Sequence, residues 1–198
     1  MFRCNTILLL MLSMTACSRE AALNGPSSTS SAAPQGGVQM TDFSVTTTAF
    51  ERDKTIPTRF TADGDDVSPA LAWSGVPNGA KTLAVICDDP DAPTAEPWVH
   101  WVIFNIPTSL KSLPEGIEKT SSPKSVSGAS QGQNTWGKRG WNGPSPPKGH
   151  GVHHYHFKVY ALNETLTVTG EVDKKKLLAA MENHVVGQGE IIGTYERK

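Results

Sequence analysis

The chain has 198 residues, 37% of them apolar, and a formal net charge of −1; that is enough for one domain with a sizeable core and a squeeze for two. The near-zero charge removes any global electrostatic case for a nucleic-acid partner. The composition is neither that of a disordered chain nor that of a membrane-embedded one. With 18 Gly and 14 Pro, many turns and short strands are expected rather than a helical bundle.

Residues 1–16 read as a signal peptide of the lipoprotein type. Arg3 supplies a positive start, and Ile7-Leu8-Leu9-Leu10-Met11-Leu12 is an apolar run, far shorter than the roughly 20 residues a membrane span needs. The run ends in Met14-Thr15-Ala16-Cys17, which resembles a lipobox with Cys17 as the acylated first residue of the mature protein. A plain secretory signal is the alternative. Residues 17–39 then form the lipidated Cys and a linker rich in Ser, Ala, Gly and Pro, with too little apolar surface to fold. This predicts a protein of the cell envelope, anchored to a membrane by lipid and facing the periplasm or the exterior. Beyond Cys4 and Cys17 only Cys87 remains. It lies in an apolar run and reads as a small buried hydrophobe.

A folded domain is expected over residues 40–198. Phe43 to Phe50 is β-branched and roughly alternating, a strand. Thr55 to Phe60 reads as a second strand, interrupted by Pro57 and so at an edge or bulge. Asp63-Gly64-Asp65-Asp66 lacks the ligand spacing of a calcium loop and reads as a solvated turn. Lys81 to Cys87 is a strongly apolar strand. Val99 to Ile106 is apolar on both faces, as in a central strand. Thr108 to Gly140 is a long polar excursion, placed to cover a pocket. Val152 to Leu162 is a third central strand. Asp173 to His184 spaces Leu177, Leu178 and Met181 as a helix behind an Asp173 cap, and Gly189 to Tyr195 returns as a strand. Strands in series with late helix content argue a β-sandwich or α+β domain.

Two segments carry the polar chemistry, and they are expected to form one pocket. In Asp88-Asp89-Pro90-Asp91-Ala92-Pro93 an apolar strand stops at three acids, and two prolines stiffen the turn. Shortly after it His100 interrupts an apolar strand, where a buried imidazole needs hydrogen-bond partners. The second segment runs from Gly143-Pro144-Ser145-Pro146-Pro147 to His153-His154-Tyr155-His156-Phe157. Alternation puts His153, Tyr155 and Phe157 on one face. Phe157 marks that face as inward, so His153 and Tyr155 are the pocket candidates, and His154 and His156 belong to solvent or to a second sheet.

His154 and His156 share a face and could hold zinc with Asp89 or Asp91, but there is no Cys/His framework and no His-Glu-x-x-His helix. No metal site and no cofactor are therefore expected. No Gly-x-Ser-x-Gly elbow marks a nucleophile, and no catalytic residue is assigned.

The order Asp-Pro-Asp-Ala-Pro, Trp-x-His and Gly-Pro-x-Pro-Pro-x-Gly-x-Gly-x-His-x-Tyr-x-Phe resembles the phosphatidylethanolamine-binding protein family. The bacterial, Raf-kinase-inhibitor-like branch is the most similar. Ser68-Pro69-Ala70-Leu71-Ala72-Trp73 and Gly193-Thr194-Tyr195-Glu196-Arg197 add to the resemblance, which spans about residues 40–197. It implies a mainly β fold: a β-sandwich of a large antiparallel sheet and a smaller sheet, with peripheral helices. It also implies a small anion pocket built from Asp89, Asp91, Trp98, His100, Pro147, His153 and Tyr155, with Gly143 and Pro146 in the adjoining loop. Phosphate, acetate and phosphoryl head groups are the implied ligands. Two imidazoles and a phenol can donate to phosphoryl oxygens while the acids orient the imidazoles or receive an ammonium.

His150 and His154 depart from the animal pattern, and the C-terminal helix that closes the animal pocket has no match. The expectation is a non-enzymatic, lipid-anchored protein. It would bind a small anionic ligand or a phospholipid head group, or a protein partner, through this pocket, with no nucleic acid. A protease or kinase inhibitor module and a metal-dependent hydrolase using the His/Asp cluster are the alternatives.

Overall fold

The computed structural model describes residues 40–198; the expected signal peptide over residues 1–16, Cys17 and the expected linker to residue 39 lie outside the described residues. In chain order the strands are β1 (Thr41–Asp42), β2 (Ser44–Thr46), β3 (Leu71–Ser74), β4 (Thr82–Asp89), β5 (Trp98–Pro107), β6 (Ser112–Leu113), β7 (Ser130–Gln131) and β8 (His153–Leu162), then helix α1 (Lys174–Met181) and β9 (Val185–Tyr195). A six-stranded sheet has the order β1-β9-β8-β4-β5-β7, and a three-stranded sheet the order β2-β3-β6. Every pairing is antiparallel except β1 with β9. The domain is thus mainly β, with a large sheet and a smaller one.

The large sheet is the middle layer, which explains the two-sided apolar strands. On β4, Leu83, Val85 and Cys87 pack with Phe43, Val45, Leu71 and Trp73 of the smaller-sheet side. The alternate residues Ala84 and Ile86 pack with Val102, Leu162, Val172 and the α1 residues Leu177 and Met181. All eight residues of β4 are buried. Burying one such aliphatic side chain is worth roughly 1.5–3 kcal/mol, so β4 and its neighbours β5 and β8 dominate cohesion.

Asp173 caps α1 by accepting the Lys176 amide at 2.8 Å, as its sequence position predicts. The helix ends sooner than His184 because Asn183 takes a positive φ of 65°, the left-handed stop that Asn tolerates. Two strand expectations are corrected. Thr55 to Phe60 is not a strand: only Thr55 bridges to Thr194. Pro57 then caps a 3-10 turn over Thr58–Phe60, since its fixed φ and missing N–H suit a turn entry. The strand expected from Phe43 to Phe50 is confined to Ser44–Thr46. Thr47 ends it by bonding the Ala70 carbonyl and accepting the Ala49 amide, a local turn that competes with the ladder.

The acidic turn is tied down rather than merely solvated. Asp63 accepts from Tyr195 and from Arg197 Nε at 2.7 Å, and Asp66 accepts the Gly143 amide at 2.7 Å. The polar excursion supplies β6 to the small sheet and β7 to the large one. Buried Gln131 ties it in, accepting from Trp101 Nε1 at 2.8 Å and donating to the Glu118 and Thr120 carbonyls.

Candidate anion-binding site

The site lies where β4, β5 and β8 end together. Alternation on β4 sends Asp88 and Asp89 to opposite sides of the sheet. Asp88 goes to the α1 side, where its buried carboxylate pairs with Lys174 and with Lys158 at 3.0 Å. Asp89 goes to the Tyr155 side. On β8, His153, Tyr155 and Phe157 are buried on the inward face.

His100 reaches the same place by a different device. The β4–β5 register jumps from Cys87↔Trp101 to Asp88↔Val99, so His100 is the extra residue of a bulge. Simple alternation would put His100 with Val102 and Phe104, which pack on the helix side. The bulge re-aims it so that its ring stands edge-on to Tyr155, with centroids 5.1 Å apart.

These residues line a cavity of about 270 Å³, together with Trp98, Pro146, Pro147, Ser145 and Trp136. A larger hollow of about 850 Å³ adjoins it across Thr94 and Trp98. We place the site in the smaller cavity, because the buried imidazoles and the phenol converge there and Lys174 of the larger one is taken by Asp88.

Hydrogen bonds set the role of each group. Asp89 Oδ2 is 2.7 Å from His153 Nδ1, and its Oδ1 accepts the Asp91 amide at 2.9 Å. Each Asp89 oxygen thus holds one protein hydrogen bond; the carboxylate lines the cavity and orients His153. His100 Nδ1 lies 2.6 Å from the Asn142 carbonyl. A carbonyl only accepts, so Nδ1 carries the proton and Nε2 is the nitrogen left for a ligand. Burial pushes the His100 pKa down, against the Asn142 carbonyl and the charge of Asp89, so the ring is neutral near pH 7 and Nε2 accepts. The Tyr155 hydroxyl is buried with no hydrogen-bond partner. Burial first, and then the Asp89 charge, push its pKa up, so it stays a donor.

The aromatic wall comes partly from the excursion. Trp136 stands edge-on to both Trp98 and His100, each 5.2 Å away. Asn134 holds its loop, accepting the Trp136 and Lys138 amides at 3.1 Å each.

Two expected residues do not line the cavity. Asp91 is exposed and accepts from the His154 amide at 2.8 Å and from its Nδ1 at 2.7 Å. Burial opposes the Asp91 charge, but those His154 bonds outweigh it and lower the pKa. Gly143 is a structural residue beneath the loop: a Cβ there would stand 2.4 Å from the Phe60 carbonyl oxygen. His156 pairs with Glu190 at 2.8 Å on the outer face of the sheet. Cys87 is buried, and burial raises its thiol pKa well above normal, so it is inert core. Among the described residues, no three His, Cys, Asp or Glu side chains gather as a metal set.

The sequence reading missed Trp136, Ser145 and the Asn142 carbonyl. A lone Trp in a Ser- and Gly-rich stretch was the available signal. It also left out His150, whose Nδ1 lies 2.8 Å from His153 Nε2.

The description phosphatidylethanolamine-binding protein attaches to the family that matches residues 46–196. The chain belongs to that family. Among family members of known structure, YbcL of E. coli superposes with a TM-score of 0.74 at 35% identity, covering 79% of this chain and 99% of that one. A phosphatidylethanolamine-binding protein homolog of Chlamydia trachomatis gives a TM-score of 0.70 at 35% identity, with the same coverage of 79% and 99%. In sequence, a UPF0098 protein of Pyrococcus abyssi is 44% identical over 163 residues, 82% of this chain and 89% of its own length.

Proposed function

We propose that this family member binds small phosphoryl or carboxylate groups in the cavity between His100, His153 and Tyr155, as a binding protein and not as an enzyme. The observation that carries the reading is the Tyr155 hydroxyl, a buried donor that no protein group satisfies. Such a group costs about 1–3 kcal/mol unless something accepts from it. An oxyanion does so, and His100 Nε2 accepts from a protonated phosphoryl or carboxyl oxygen beside it. The family's description names phosphatidylethanolamine, which makes phosphoethanolamine the first ligand to test. A protein partner would enter through a side chain of the same anionic chemistry.

Catalysis is disfavoured by what surrounds the cavity. The Cys87 thiol is protonated and enclosed. Ser145 lines the cavity, yet its hydroxyl is not in the Asp89–His153–His150 chain of hydrogen bonds.

The test is a titration of phosphate and phosphoethanolamine followed through the imidazole NMR signals of His100 and His153. Affinity on the order of millimolar or tighter, with both signals shifting, supports the reading. Silence of both signals at that concentration rejects it.

The anchor is proposed from sequence alone. Acylation at Cys17 would hold the domain to a membrane of the cell envelope through residues 18–39. A Cys17→Ser variant should be released from membranes, and its continued sedimentation with them would contradict acylation as the tether.

A further inference from the structure

The anion reading leaves one contact without a role. His153 gives Nδ1 to Asp89, so Nε2 is the only nitrogen it can offer a ligand. That nitrogen is taken by His150 Nδ1 at 2.8 Å, with the two rings 5.0 Å apart. His153 is buried and His150 is exposed. His150 stands between Gly149 and Gly151, with φ of 73° and 95°, and nothing lies within 4 Å of where a Cβ would be at either. The loop is tied at its base by the Gly149 amide to the Arg197 carbonyl at 3.0 Å. An exposed imidazole thus sits between two glycines of permissive backbone, its own amide bonded to the Pro147 carbonyl at 3.2 Å.

We propose that His150 is a gate on the anion pocket: its ring occupies the His153 nitrogen that a bound anion needs, and uncovers it by turning outward on the Gly149–Gly151 tip. The proposal deepens the anion reading and rests on it.

Only one proton fits between two nitrogens at hydrogen-bond distance. Whichever ring donates, Nε2 of His153 is occupied. His153 is buried and held by its bond to Asp89, so the exposed His150 ring is the one that moves. The other charged and titratable groups around the pair do not restrain it. Asp91 is committed to His154 and Asp63 to Arg197. Lys148 in the same loop adds positive charge. Tyr155 stays neutral across the cavity, and His100 keeps its Nδ1 on Asn142.

The probe is inorganic phosphate at neutral pH, where part of it keeps a P–OH from which His100 Nε2 can accept. It is titrated into the full chain and into a His150→Ala variant. The variant is expected to bind about tenfold more tightly than the parent. His150 is exposed, and an unchanged thermal midpoint confirms that the comparison is between folded proteins. A variant no tighter than the parent overturns the gate. A weaker variant would make His150 a ligand contact and overturn it too. No binding by either protein overturns the gate together with the anion reading, whereas binding without the difference overturns the gate alone.

Discussion

Asp89 and His153 meet at 2.7 Å, carboxylate oxygen to ring Nδ1, with both side chains almost fully buried. The pair couples the end of β4 to the start of β8 and fixes which nitrogen of His153 faces outward. Removing one partner of a buried pair costs roughly 3–5 kcal/mol. Asp89→Ala should therefore lower stability in chemical denaturation by about that much. It should also abolish anion binding, because His153 loses its orientation. Retained affinity would remove Asp89 from the site.

Asp88 provides the matched control. It is equally buried, but its partners are Lys158 and Lys174 on the α1 side of the sheet. Asp88→Asn should destabilise the domain while the folded fraction keeps its anion affinity. Denaturation and titration on one sample separate the two effects, and a loss of affinity comparable to that of Asp89→Ala would contradict the assignment of the two acids to opposite sides.

Trp136 keeps His100 dry, its ring 5.2 Å away and edge-on. Trp136→Ala should let water in and raise the His100 pKa toward its ordinary value, read from an NMR pH titration. The sign for stability follows. The folded pKa lies below the unfolded one, so the unfolded chain binds more protons between the two. Stability therefore falls as pH drops from about 6.5 toward the folded value. Trp136→Ala should narrow that window.

Asp63 works in the opposite sense at the acidic end. Its hydrogen bonds from Arg197, against a small burial penalty and with help from Tyr195, lower its pKa. Its stabilisation is present above the unfolded value of about 3.9 and is lost as pH falls through the folded one. Both side chains are partly exposed, so the effect is modest. Arg197→Ala should be less stable than the parent at neutral pH, and the gap should close as pH falls through the lowered Asp63 value. A gap independent of pH would mean that Arg197 acts through packing.

Much of this site was legible because it lies on regular strands. The apolar runs around Leu83, Ile103 and Val159 mark β4, β5 and β8, and a period of two places His153 and Tyr155 inward. Asp173 marks the helix start. Features that depend on pairing between strands were not legible. The bulge that re-aims His100 exists only in its register with β4, and it reverses what alternation along β5 implies. The turn at Pro57 looks like a strand edge until its 3-10 hydrogen bonds are seen. Trp136 and His150 sit on loops whose return to the cavity depends on the Asn134 bonds and on glycine dihedrals. No periodicity encodes either.

The central claim is that the unsatisfied Tyr155 hydroxyl is there for an anion, and Tyr155→Phe tests it most directly. The substitution removes one oxygen and nothing else from the buried wall. Phosphoethanolamine titrated into both proteins should bind the variant at least about tenfold more weakly, the loss of a charge-assisted bond worth roughly 1.5–3 kcal/mol, while the variant should be as stable as the parent or more so. Equal affinity of the two proteins would contradict the account.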